Sequence, residues 1–204
     1  MRRIYINIKM VIDFFIALML LPILILVLIP SAILIKLEDG GPVFYMGERL
    51  GRHGKVFKMF KLRSMKVNAP DIRLADGSTY NAEDDPRVTR FGRFARKTSV
   101  DELPQLLNIL KGDMAFVGPR PDLPDDIYTY SKEEKKILLV RPGITGYNQA
   151  VNRNSVTAHE KLKNDLYYVK HMSLFFDIKI ILMTIKTVLS HENVYRTEEK
   201  SHEK

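Results

Sequence analysis

Asp101 and Glu102 are adjacent carboxylates with basic segments on both sides. Upstream runs Thr89-Arg90-Phe91-Gly92-Arg93-Phe94-Ala95-Arg96-Lys97, and downstream Arg120 stands between Pro119 and Pro121. An ionised carboxylate can attack phosphorus and carry it covalently. A second carboxylate beside it can hold a hard cation such as Mg²⁺. Flanking guanidinium groups can grip phosphate through paired N–H donors. Two acids bracketed by cations therefore suit a metal-bound polyphosphate. Without those surroundings, the pair reads more simply as helix capping.

The neighbouring residues set where the pair must lie. Leu103, Leu106, Leu107 and Leu110 recur at helical spacing and form one apolar stripe. Pro104 cannot sit deep in that helix, because its ring clashes with the carbonyl four residues back. Asp101 at the N-cap puts Pro104 in the first turn, where a missing N–H costs little. A capping box between Ser99 and Glu102 would bury Pro104 too deeply. At a helix N-terminus, Asp101 meets unpaired N–H groups and the positive end of the dipole, which favour its ionised form and attract phosphate.

The chain has 204 residues, a net charge of +8 and no cysteine. That length fits one domain with room for an appendage. The basic balance suits nucleic acid, anionic lipid or phosphorylated substrates. Without cysteine there is no disulfide framework and no thiolate zinc site, and the five histidines show no H-x-x-x-H spacing.

Residues 14–35 form an uncharged run of 22 residues, long enough to span a bilayer as a helix. The run is long for a signal peptide, and no small-x-small cleavage site precedes Lys36. It is apolar on all sides, which argues against a core helix. Pro22 and Pro30 each remove a helix hydrogen bond and invite a kink. Arg2, Arg3 and Lys9 precede the run, and Lys36, Arg49, Arg52, Lys55, Lys58 and Lys61 follow it. A simple span carries its basic excess on one flank. Here both flanks look cytoplasmic, so a turn is expected between Leu21 and Ser31.

Further on, residues 43–46 and 56–60 read as strands around Gly51-Arg52-His53-Gly54, a hairpin. Lys61 and Arg63 then alternate onto one face. Residues 67–85 read as a polar loop with a short helix. Its acids Asp71, Asp76, Glu83, Asp84 and Asp85 lack EF-hand spacing and read as solvated surface. Residues 91–97 suggest a short helix or turn, 113–117 a strand, 132–139 and 156–171 helices, and 141–146 a turn rich in breakers. Residues 173–189 form an apolar helix expected in the core, with the membrane surface as its alternative.

Several blocks together are distinctive: Asp85-Pro86-Arg87-Val88-Thr89-Arg90-Phe91-Gly92, Asp101-Glu102-Leu103-Pro104-Gln105-Leu106, Lys111-Gly112-Asp113-Met114 and Val117-Gly118-Pro119-Arg120-Pro121. To these add Gly41-Pro42-Val43-Phe44, Phe60-Lys61-Leu62-Arg63-Ser64-Met65, Arg141-Pro142-Gly143-Ile144-Thr145-Gly146 and Asp165-Leu166-Tyr167-Tyr168-Val169. With them the chain resembles the bacterial sugar transferases, the small monotopic phosphoglycosyl transferases that start glycan assembly on a polyprenyl phosphate. The resemblance covers nearly the whole chain, in order.

The resemblance implies an α/β fold, mixed short helices with a small sheet region, behind an N-terminal re-entrant membrane helix. Residues 1–38 would be the leader and membrane helix, 39–190 the cytosolic catalytic domain, and 191–204 a charged tail. It implies transfer of a sugar 1-phosphate from a UDP-sugar to polyprenyl (undecaprenyl) phosphate, releasing UMP, at the cytoplasmic face of the bacterial inner membrane. The product would start a capsule, exopolysaccharide, O-antigen or glycoprotein glycan. Asp101 would be the nucleophile that forms an aspartyl-phosphosugar intermediate, and Glu102 the Mg²⁺ ligand. Lys61, Arg63, Arg96, Arg120, Arg141 and Asp165 would bind substrate. The lipid bilayer is an expected partner, nucleic acid is not, and a homodimer is left open. Only the basic leader precedes the membrane helix, so the small form of the family is expected.

Two departures stand out. The Ser-Pro pair common at the helix break would fall near Ile25-Leu26, where this chain has neither residue. Tyr147-Asn148-Gln149 replaces the usual Trp-Ala-Gln, which leaves the sugar open. Two rivals remain at this level. One is a non-catalytic membrane-anchored scaffold that binds anionic lipid and does not require Asp101-Glu102. The other is a tethered nucleic-acid binder, although nothing resembles a helix-turn-helix, RRM or zinc finger.

Overall fold

The computed structural model describes residues 2–72, 80, 82, 84–152 and 156–190. The tail at 191–204 and the loop residues Asp76 and Glu83 lie outside the described residues. In chain order the elements are α1 (Arg2–Asp39), β1 (Phe44–Leu50), β2 (Val56–Leu62), α2 (Arg90–Thr98), α3 (Gln105–Lys111), β3 (Ala115–Val117), β4 (Gly143–Thr145), α4 (Tyr147–Asn152), α5 (Ala158–His171) and α6 (Leu174–Ser190). Among the described residues the strands make two small two-stranded sheets. This is the mixed architecture expected from the sequence.

β1 and β2 form the expected antiparallel hairpin, in register from Phe44 opposite Leu62 to Leu50 opposite Val56. A 3-10 turn at Arg52–Gly54 closes it, and His53 and Gly54 adopt positive φ there. The second sheet was not legible as such. The breaker-rich turn at 141–146 contains β4, which pairs in parallel with β3, Ala115 opposite Gly143 and Val117 opposite Thr145. The expected helix at 132–139 is a 3-10 segment, Glu134–Leu139. α5 starts where Thr157 and Glu160 form a capping box.

α1 is continuous from Arg2 to Asp39, with Pro22 and Pro30 inside it. The expected turn between Leu21 and Ser31 is therefore not a break in the helix. Each proline removes one hydrogen bond, but packing holds the turns on either side. Ala17 and Leu24 are buried with Phe57, Met59, Leu106, Ile109 and Met114. Ile35 is buried with Leu62, Phe91 and Ala95. Both ends of α1 dock on the same domain. Near its start, Tyr5 donates to Asp177 at 2.7 Å and Lys9 Nζ lies 2.7 Å from the same carboxylate. At its end, Glu38 accepts from the N–H groups of Arg90 and Phe91.

The outer face of α1 exposes hydrocarbon, including Phe15, Met19, Leu26 and Leu37. Its segment Ile4–Asp39 is long and apolar enough to cross a membrane. α6 also departs from its core expectation. Asp177 and Ile180 are buried, but Leu174, Phe175, Ile178, Leu182, Ile185 and Leu189 lie exposed.

Candidate active site

The dyad lies one turn earlier than an N-cap. Val100–Glu102 form a 3-10 turn, and Pro104 is the residue that caps α3. Ser99, with φ of 59°, ends α2 in the left-handed region and turns the chain into this segment. The Glu102 and Leu103 N–H groups bond back to the Ser99 and Val100 carbonyls, so the backbone is already helical when it reaches Pro104. The leucine stripe is real: Leu106 is buried, and Leu103, Leu107 and Leu110 pack around the cluster that includes α1.

Lys61 enters from the end of β2. Its Nζ lies 2.7 Å from Glu102 Oε1, and Arg120 Nη2 reaches the same oxygen at 3.1 Å. Asn108 fixes that approach. It is fully buried on α3; its Oδ1 accepts from Phe60 N–H at 2.9 Å and its Nδ2 donates to the Lys58 carbonyl at 2.8 Å. α3 and β2 are thereby tied together immediately before Lys61.

Arg96 comes from α2, which Thr89 caps by accepting from Gly92 N–H at 3.0 Å. A Cβ on Gly92 would stand 1.9 Å from the Ser64 carbonyl oxygen, so only glycine permits this contact. Arg96 Nε then donates to Ser64 Oγ at 3.0 Å, and its positive charge acts on Asp101. The preceding motif is structural. Asp85, read from sequence as solvated, is fully buried and pairs with Arg87, whose Nη1 also donates to the Pro70 carbonyl at 2.8 Å.

Arg120 is placed by close backbone contact between two motifs. Gly118 N–H donates to the Thr145 carbonyl and Gly143 N–H to the Pro119 carbonyl, each at 2.9 Å. A Cβ on Gly143 would lie 2.1 Å from Gly118 N. Lys161, which the sequence did not single out, supports the same loop. Its Nζ donates to the Arg120 carbonyl at 3.3 Å, binds both Asp122 carboxylate oxygens at 2.6 Å, and lies 3.3 Å from Asp165 Oδ2. Tyr130 Oη donates to Asp122 as well. Asp165 is fully buried; its oxygens lack properly directed hydrogen bonds, and burial pushes its carboxyl up to about 7 despite Lys161.

Two expected substrate residues face elsewhere. Arg63 is bound by the Asp39 carboxylate and by the carbonyls of Pro42 and Met65, which anchors it to the end of α1. Arg141 lies against Met10 of α1 and beside Gly112 at the end of α3. The structure brings Lys61, Arg96, Asp101, Glu102 and Arg120 together, with Asp165 behind Arg120.

The two acids differ in how readily they ionise. Burial pushes Asp101 up to about 6, against the pull of Lys61 and with a further push from Glu102. The helix-dipole argument for a readily ionised Asp101 is thus outweighed by desolvation. Burial also disfavours the Glu102 anion, but Lys61 and Arg120 outweigh it and hold Glu102 at about 2. Among the described residues, no hydrogen bond or salt bridge holds the Asp101 carboxylate. Nor do they contain a cluster of three metal-ligating side chains. A hard cation that keeps most of its water would have Glu102 Oε2 open to it, since Lys61 and Arg120 both engage Oε1.

The model of the bacterial sugar transferase family matches residues 4–191, so the chain belongs to that family. It is 43% identical over 169 residues to an undecaprenyl-phosphate galactose phosphotransferase of Salmonella typhimurium, covering 78% of this chain and 36% of the relative. It is 44% identical over 160 residues to the galactosyl transferase CpsE of Streptococcus agalactiae, covering 74% of this chain and 36% of the relative. An exopolysaccharide production protein, ExoY, of Sinorhizobium fredii is 39% identical over 173 residues, covering 79% of this chain and 76% of the relative. The chain thus spans little more than a third of the first two relatives.

Proposed function

We propose that this protein transfers a sugar 1-phosphate from a UDP-sugar to polyprenyl phosphate through a covalent intermediate on Asp101. The observation that carries the reading is the asymmetry of the dyad. Glu102 is neutralised by two cations, while Asp101 beside it is buried and has no hydrogen-bond or salt-bridge partner among the described residues. That is the state of a nucleophile waiting for its electrophile. Relatives named for galactose phosphotransfer to undecaprenyl phosphate support the substrate class.

In this reading an Asp101 carboxylate oxygen attacks the phosphorus that bears the sugar. The bond to the UMP oxygen breaks, and UMP leaves with the electron pair. An oxygen of polyprenyl phosphate then attacks the same phosphorus and releases the Asp101 carboxylate. No proton has to move in either step. Lys61, Arg96 and Arg120 neutralise phosphate oxygens as charge shifts. A Mg²⁺ ion held by Glu102 would supply further neutralisation of the diphosphate. The burial of Asp101 strips water from the nucleophile.

The reading places the reaction on the cytoplasmic face of the bacterial inner membrane, as the first step of a surface glycan. α1 and the exposed face of α6 would rest in lipid. The test mixes a panel of UDP-sugars with Mg²⁺ and polyprenyl phosphate and measures UMP. One sugar should give UMP, and Asp101→Asn should abolish it. UMP release by Asp101→Asn at the wild-type rate would overturn the assignment, and silence across the panel would favour a lipid-binding scaffold.

A further inference from the structure

An open cavity of about 490 Å³ lies beside the end of α1. Glu38, Asp39, Lys66, Arg90 and Arg93 line it together with Val67. Its acids are already matched. Glu38 accepts from two backbone N–H groups of α2, and Asp39 is held by Arg63. Its cations are not. Among the described residues, no carboxylate lies within ion-pair distance of Lys66, Arg90 or Arg93. The cavity includes none of Lys61, Arg96, Asp101, Glu102 or Arg120, so it is separate from the dyad.

Exposed hydrocarbon adjoins the cavity. The last turns of α1 expose Ile33, Leu34 and Leu37, the last of these 79% exposed. On α2, Phe94 is 58% exposed beside Arg93. Three cations without a carboxylate partner among the described residues thus stand at the end of an apolar helix. Arginine forks match phosphate oxygens, and basic side chains at this depth meet the headgroups of anionic lipids. A soluble anion would use only the cations, whereas a phospholipid would also cover the apolar turns.

We propose that this cavity binds the phosphate of an acidic phospholipid, whose acyl chains lie along Ile33, Leu34 and Leu37. The proposal rests on α1 lying in the bilayer and not on phosphosugar chemistry. It would give the enzyme a fixed lipid at the point where its membrane helix meets the catalytic domain.

The test uses the delipidated full chain in detergent, with native mass spectrometry to count bound lipid. Phosphatidylglycerol should bind at least tenfold more tightly than phosphatidylcholine. Arg90→Gln combined with Arg93→Gln should remove that preference, and Arg90→Lys with Arg93→Lys should keep most of it. Lys132→Gln with Lys135→Gln, an equal loss of charge on exposed side chains elsewhere, should change nothing. The proposal would be overturned by equal binding of the two lipids, by unchanged preference in the Arg90/Arg93 glutamine variant, by an equal loss in the Lys132/Lys135 variant, or by displacement by inorganic phosphate at matched concentration. The last would mark a soluble anion site. Displacement by polyprenyl phosphate well below the phospholipid concentration would also overturn it, because the cavity would then be an acceptor site.

Discussion

Lys61 and Arg120 converge on one oxygen of Glu102 and leave Asp101 to its buried surroundings. Burial raises Asp101 from the ordinary carboxylate range to about 6. A nucleophile must be ionised, so activity should fall about tenfold per pH unit below that value and level off above it. A profile of kcat/KM for the UDP-sugar between pH 4.5 and 8 checks this; a flat profile through pH 6 would separate Asp101 from the chemistry. The proximity of Lys61, Arg96 and Arg120 to the dyad was legible, because their local motifs are continuous in the chain. Asp85 was misread because its partner Arg87 buries it, and exposure cannot be read from an acid in a polar stretch. Lys161 was missed for a different reason. Its contacts to Arg120 and Asp122 bridge 41 and 39 residues, a pairing that only the tertiary fold creates.

Between elements, a few buried polar side chains do most of the joining. Asn108 links α3 to β2 by two hydrogen bonds. Asn108→Ala would strand the Phe60 N–H and Lys58 carbonyl in the interior, at a cost of about 2–4 kcal/mol. Urea denaturation measures that loss, and kcat should fall as well because Lys61 follows directly on the strand. At the other edge, Asp177 accepts from Tyr5 and Tyr168 and pairs with Lys9. Asp177→Ala leaves Lys9 paired with Asp13 alone among the described residues and strands the Tyr5 and Tyr168 hydroxyls, and should cost about 2–3 kcal/mol. A lowered thermal midpoint in detergent would show it, and an unchanged midpoint would mean that α1 is not held there. α3, α5, α6 and the hairpin followed from hydrophobic period and turn residues, whereas α4 was not expected. The parallel pairing of β3 with β4 did not, because three-residue strands leave almost no periodic signal.

At the scale of the whole molecule, α1 is the element that would meet a membrane. Prolines inside the run suggested a turn, yet the helix continues through both, held by core contacts that no local rule reports. The basic residues on both flanks pointed to one side of the membrane, and the docking of both helix ends on one domain leads to the same expectation. Single cysteines replacing Arg3 and Lys36, in a chain that has no native cysteine, should both resist an impermeant thiol reagent in intact cells and both react after permeabilisation. Labelling of position 3 alone from outside would mean a true span.

Whether Asp101 carries phosphorus decides the mechanism. The purified protein, given UDP-sugar and Mg²⁺ with no polyprenyl phosphate, should release about one equivalent of UMP per active site in a burst. The peptide containing Asp101 should gain the mass of one sugar phosphate. Addition of polyprenyl phosphate should then remove that mass and yield the lipid-linked sugar. UMP that appears only when the acceptor is present, with no mass gain on Asp101, would contradict the account and make the reaction a direct transfer in a ternary complex.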